Sequence, residues 1–275
     1  MFLKLLKHEW KSSSKLLITL SACVLGIALL AGLDLRLIIS TLGSESDSSF
    51  GTLLMIPAFL FMFIAIFSLG LYCSGVLIIL LYRFYKSRFT DEGYLTFTLP
   101  VKTEHIFLSS TLHMLIWEII CVIVVLTSAL IIIFTGIPIS EIGYEEFAYA
   151  MSTFFSELGI LFDSKVFQIY MIVLPIAMIA SGILLPMSCV VIGSAIAKKH
   201  KILASIGIYY GCSTVSGIIS SMISAITTIM IIQGAADPAI LEMITPLLTC
   251  IIPLLLAIAG YFISIHLMKN KLNLP

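Results

Sequence analysis

The sequence predicts an all-α integral membrane protein of about six transmembrane helices, with both termini on the cytoplasmic side. Three observations predict it. Sixty per cent of the 275 residues are hydrophobic, 11% are charged and the mean hydropathy is +1.16, whereas soluble domains are roughly 45–50% apolar and about 25% charged. Six apolar stretches reach the ~20 residues that a helix needs to cross the hydrocarbon of a bilayer. The basic residues are also sorted by segment rather than spread along the chain.

The stretches fall at about 16–38, 52–82, 106–136, 166–197, 202–232 and 245–268. They leave a short amphipathic segment at 1–15, a cytoplasmic segment at 83–105 and an outer loop at 137–165. Neither loop approaches the ~50 residues of a small independent domain, so residues 1–275 read as one transmembrane domain. Leu20-Ser21-Ala22-Cys23 has the look of a lipoprotein cleavage box, but the apolar run around it continues to Leu33. It reads as a spanning helix. The six cysteines all lie in apolar runs, where they behave as small hydrophobes rather than as a disulfide framework.

Orientation follows from Lys and Arg, which collect on the cytoplasmic side. With the N-terminus inside, thirteen of the fifteen basic residues lie inside and only Arg36 and Lys165 lie outside. Ten of the fifteen acids then lie outside, from Asp34 through Glu145 and Glu146 to Glu242. Within 1–15, Phe2, Leu5, Leu6 and Trp10 recur at helical spacing among Lys4, Lys7 and Lys11. That pattern predicts an amphipathic helix lying in the inner interface. In the outer loop an apolar stripe of Tyr144, Phe147, Ala148, Met151, Phe154, Phe155 and Leu158 predicts an extracellular amphipathic helix.

Prolines mark expected irregularities. Pro175, Ser181-Gly182 and Pro186 predict a bend in the fourth span. Asp237-Pro238 and Thr245-Pro246 suit a re-entrant break before the last span. Pro100 ends a local element, and Thr103 can cap the third helix with Glu104 in its first turn.

Three groups of residues are candidates for function. Segment 83–105 is the most informative, since it mixes basic, acidic and aromatic residues with Gly93 and Pro100. Glu118 is an acid inside an apolar run, and an intramembrane carboxylate is a functional candidate by default. Its place beside Trp117, near the inner end of the third span, also allows interfacial anchoring. The fifth span is rich in small residues. Gly207 and Gly211 form GxxxG; Ser213, Gly217, Ser221 and Ala225 form one row, and Ser216, Ser220 and Ser224 an adjacent one. Close helix packing explains such rows, and a weakly polar translocation wall is the alternative. Glu118, Ser213, Ser216, Gly217, Ser220 and Ser224 are therefore the candidates for gating or substrate contact.

Nothing in the sequence marks an enzyme. There is no GxxxxGK[ST] phosphate loop, no HExxH and no paired-cysteine metal motif, so no catalytic residue, metal ligand or cofactor is expected in this chain. No nucleic-acid partner is expected either.

MFLKLLKHEWK at the start and YRFYKSRFTDEGYLTFTLPVKTEHIFLSS at 82–110 resemble the bacterial type-2 ABC exporter permease family. Small members of that family begin with a basic interface helix and carry a DEGYL…TLPV stretch after the second span. The motif likeness covers about 40 residues; elsewhere it is one of hydropathy and topology. The resemblance implies a permease in the bacterial plasma membrane that pairs with a second, identical or different, permease subunit. Two cytoplasmic ATPase subunits, which bind the ATP and Mg, would drive the pair. It also implies that the segment after span two docks on the ATPase, which maps to Arg88, Asp91, Glu92, Gly93, Tyr94, Phe97 and Leu99. The expected cargo is hydrophobic or amphipathic, a peptide or lipid-like molecule. The rival readings are a stand-alone secondary transporter or channel and a membrane regulatory or assembly protein that transports nothing.

Overall fold

A bilayer offers backbone N–H and C=O groups no partners, so a chain this apolar satisfies them within helices. The computed structural model describes residues 2–43, 49–90, 93, 102–137, 143–163, 165–197, 199–234 and 238–270. Among these residues there are seven helices and no strand: α1 (Phe2–Gly43), α2 (Ser49–Phe89), α3 (Thr103–Gly136), α4 (Tyr144–Asp163), α5 (Lys165–Ile196), α6 (Lys201–Ile232) and α7 (Pro238–Asn270). All but α4 are long and apolar enough to cross a membrane. The chain is a multi-pass α-helical membrane protein.

Three expectations change. The amphipathic segment 1–15 is not a separate element, because α1 runs unbroken through 42 residues, about 63 Å at roughly 1.5 Å per residue. The Ser12-Ser13-Ser14 run does not interrupt it. Ser13 is fully buried and its hydroxyl donates to the Trp10 carbonyl at 3.4 Å, which satisfies the side chain without opening the helix. The re-entrant break expected at Thr245-Pro246 is also absent, since α7 continues through Pro246 and Pro253. Its start is at Pro238, whose missing N–H costs nothing in the first turn, and Gly234, two residues past the end of α6, has φ +64°. At α3 the residue that caps the helix is Lys102, whose carbonyl accepts from the His105 and Ile106 N–H groups; Thr103 is already helical. Pro175 and Pro186 both lie within an uninterrupted α5.

The chain divides into two compact units. One comprises Trp10–Ile78 and Ile116–Ser164. Its α1 face is a stripe of Leu17, Val24, Ala28, Ala31 and Ile38, all buried, at the three- and four-residue spacing that keeps one face inward. The small members of the stripe let other helices approach closely. A Cβ at Gly32 would overlap Thr135, and one at Gly136 would sit 2.6 Å from Leu35 Cδ2, so α1 and α3 meet there with no room for larger residues. Ser21 Oγ lies 2.8 Å from Tyr72 Oη and ties α1 to α2. Trp10 stacks on the buried Trp117, with ring centroids 4.9 Å apart, and ties α1 to α3. α4 carries the predicted outer stripe, but of its described members Tyr144 and Phe155 are 78% and 62% exposed, so this unit leaves them uncovered.

The other unit comprises Met1–Glu9, Ile79–Leu115 and Lys165–Pro275. Here α5, α6 and α7 pack against one another around Leu185, Cys189 and Ala257. Gly260 faces Ser188 and Gly193 faces the Ser205 backbone, each so closely that a methyl group would collide. An aromatic chain of Phe84, Phe107 and Tyr261 links α2, α3 and α7 through edge-on contacts of 6.0 and 5.5 Å.

Candidate functional site

The last turn of α2 carries Arg88, a long cation at the end of an apolar helix. A helix C-terminus favours a cation electrostatically, but Arg88 does not point to water. It is 4% exposed, and a buried guanidinium is tolerable only when paired and hydrogen-bonded. α1 supplies the charge: Arg88 Nη2 pairs with Glu9 Oε1. α3 supplies the rest. Nη2 also donates to Ser110 Oγ at 2.8 Å, and Ser110 in turn donates to the same Glu9 oxygen at 2.8 Å, closing a three-membered ring of charge-assisted bonds. Nη1 donates to Ser87 Oγ at 2.9 Å, and His113 Nδ1 lies 4.0 Å from Glu9 Oε2. The Phe84 ring centroid is 6.0 Å from Arg88 Cζ.

The backbone beyond Arg88 is held as firmly as its side chain. Gly93 N–H donates to the Thr90 carbonyl at 2.7 Å, and Thr90 Oγ1 donates to the Lys86 carbonyl at 2.5 Å. Gly93 is buried against the Arg88 carbonyl, and a Cβ there would overlap that oxygen. Only glycine fits without moving backbone. From the first turn of α6, Lys201 Nζ reaches the Phe89 carbonyl at 3.5 Å, a cation over the end of α2. Groups on α1, α3 and α6 thus converge on one residue pair, Arg88 and Phe89.

Of the seven coupling candidates, Arg88 and Gly93 are described. Arg88 is engaged within the chain, and Gly93, itself helical, packs on the Arg88 carbonyl. Asp91, Glu92, Tyr94, Phe97 and Leu99 lie outside the described residues. Glu9, Ser110 and His113 escaped the sequence reading, though Glu9 had a signal. Lys4, Lys7, Lys11 and Lys15 share one helical face and are all exposed, while Glu9 falls on the opposite face with the buried Ser13 and Leu17. An acid on the inward face of a basic helix needs a cation, and Arg88 is that cation.

The gating candidates are distributed differently. Glu118 is half-buried, and its Oε1 has no hydrogen-bond partner among the described residues. The neighbouring Trp117 is not a membrane-facing anchor, because its ring is buried against Trp10. On α6, Ser213, Ser216 and Ser220 are half-buried, while Gly217 and Ser224 are exposed. Ser220 Oγ donates to the Thr249 carbonyl of α7 at 3.4 Å. The GxxxG pair packs against none of the described residues, since a Cβ at Gly207, Gly211 or Gly217 would meet none of them within 4 Å. Only 6% of the apolar window of α6 is buried. No cluster of three or more His, Cys, Asp or Glu that could hold a metal occurs among the described residues.

Chemically, the arrangement at the end of α2 is a joint. Among the described residues its two opposite charges, Arg88 and Glu9, are paired with each other. In comparison with known proteins, the chain matches no family model, no curated protein and no solved structure.

Proposed function

We propose that the chain is the transmembrane permease subunit of an ATP-binding-cassette exporter in a bacterial plasma membrane. It would move a hydrophobic or amphipathic substrate, peptide or lipid-like, with energy from separate cytoplasmic ATPase subunits. The observation that carries the reading is the joint at the end of α2. A segment that transmits force from an ATPase must be rooted in several helices at once, and Arg88 and Phe89, from which it starts, are gripped by groups of α1, α3 and α6. The DEGYL…TLPV stretch that begins at Asp91 supplies the resemblance, and two acids with Tyr94 and Phe97 offer charged and apolar contacts to a basic groove. The open small-residue face of α6 suits a second permease subunit, identical or not.

Purification of the tagged chain from its native membrane tests the reading. The expected outcome is a cassette ATPase recovered in stoichiometric amount, with recovery reduced by Glu92→Ala or Tyr94→Ala. Recovery of the chain without any ATP-binding partner contradicts it, as does undiminished ATPase binding and transport when Asp91, Glu92 and Tyr94 are all alanine. The N-in, C-in orientation has its own check in a cysteine-free background. A cysteine at Ser152 reacts with impermeant reagent in intact cells, and one at His200 does not.

A further inference from the structure

We infer that Glu9 is a positioning residue for the chain that follows α2: through Arg88 it fixes where the backbone leaves that helix at Thr90 and where Gly93 packs. The inference rests on the coupling reading for its purpose, not for its geometry. Arg88 has two attachments. Its side chain is held by Glu9 and Ser110, while its backbone carbonyl is the surface on which Gly93 packs. One residue therefore joins the N-terminal turns of α1 to Gly93. A shift of Glu9 relative to α3 is passed on through a planar guanidinium, which prefers one geometry with its carboxylate.

Stability alone is a poor reason for such a pair. A buried ion pair contributes little more than well-packed apolar side chains of the same volume, whereas a pair that fixes register has a purpose that apolar contacts serve badly. The shell around it is built for that purpose. Ser110 bonds both charged partners, and Ser110 and His113 are 3% and 6% exposed. The Arg88 Nε, by contrast, has no partner among the described residues, so the orientation of the guanidinium is set by Nη1 and Nη2, through Glu9, Ser110 and Ser87.

Amide hydrogen exchange on the purified full-length chain in detergent micelles reads how firmly the backbone after α2 is held, without any partner. Glu9→Gln keeps the shape and removes the charge. The expected result is exchange at residues 89–99 faster by about tenfold, with α5, α6 and α7 unchanged. Glu9→Asp, which keeps the charge at shorter reach, is expected to fall between the parent and Glu9→Gln. If Glu9→Gln does not fold, Glu9→Asp gives the same reading alone. Unchanged exchange at 89–99, or an equal rise throughout α5–α7, overturns the inference, since the first leaves Glu9 without influence and the second makes it a general stabiliser. If ATPase co-purification succeeds while exchange at 89–99 ignores Glu9, the exporter reading survives and the inference falls. A clear Glu9 effect in a chain that binds no ATPase upholds the positioning role and overturns the exporter reading.

Discussion

Glu9 and Glu118 are both acids on long apolar helices, and they fare oppositely. Glu118 stands alone in its apolar run and attracts attention in the sequence, yet it is half-buried with one oxygen lacking any described partner. Glu9 hides among four lysines and looks like part of a solvated basic segment. It is nonetheless the acid that neutralises a buried arginine 79 positions away. An acid is committed by the cation it faces in three dimensions, not by the hydropathy of its neighbours in sequence.

The sharpest way to break this contrast is to remove the cation. Arg88→Gln leaves Glu9 and Ser110 around an absent charge, and loss of one partner of a buried pair typically costs about 3–5 kcal/mol. Thermal unfolding of the solubilised chain should show a loss of that order; an unchanged melting temperature would mean that Arg88 is solvated. Gly93→Ala is expected to cost about 1–3 kcal/mol, because the added methyl group meets the Arg88 carbonyl and backbone must shift. The same measurement checks it, and a neutral outcome would show that the turn is not held. Glu118→Gln should do least, within about 0.5 kcal/mol, since no described bond is lost. If Glu118 contacts substrate, this variant separates the two properties, with transport falling at constant stability.

Much of the fold was legible because membrane physics leaves so few options. The apolar helices Thr103–Gly136, Lys201–Ile232 and Ile244–Lys269 begin and end within a few residues of the stretches read from hydropathy alone, whereas Leu3–Thr41 and Met55–Phe89 run well beyond theirs into the flanking polar segments. The continuity of α1 was not legible, since the basic, amphipathic residues 1–15 and the apolar run after them differ in composition, while one helix runs through both. The partner of the fifth-span glycines was not legible either. GxxxG announces that something packs closely without saying what, and the close contacts of this region fall instead at Gly193 and Gly260. Of the joint, the sequence offered Arg88 and Gly93 as members of one segment. It could not show that Arg88 turns inward, because that depends on residues from α1 and α3 that come together only on folding.

A double-mutant cycle on Glu9 and Arg88 probes the joint itself. Glu9→Gln, Arg88→Gln and the double variant are unfolded under the same conditions, and the coupling energy is the difference that the single variants leave unexplained. If the two charges hold one another, the double variant is more stable than the summed single losses imply, by about 2 kcal/mol or more, because each single variant strands the other charge. Additive losses, with a coupling energy near zero, would show that Glu9 and Arg88 do not act on one another and that the end of α2 is not a joint.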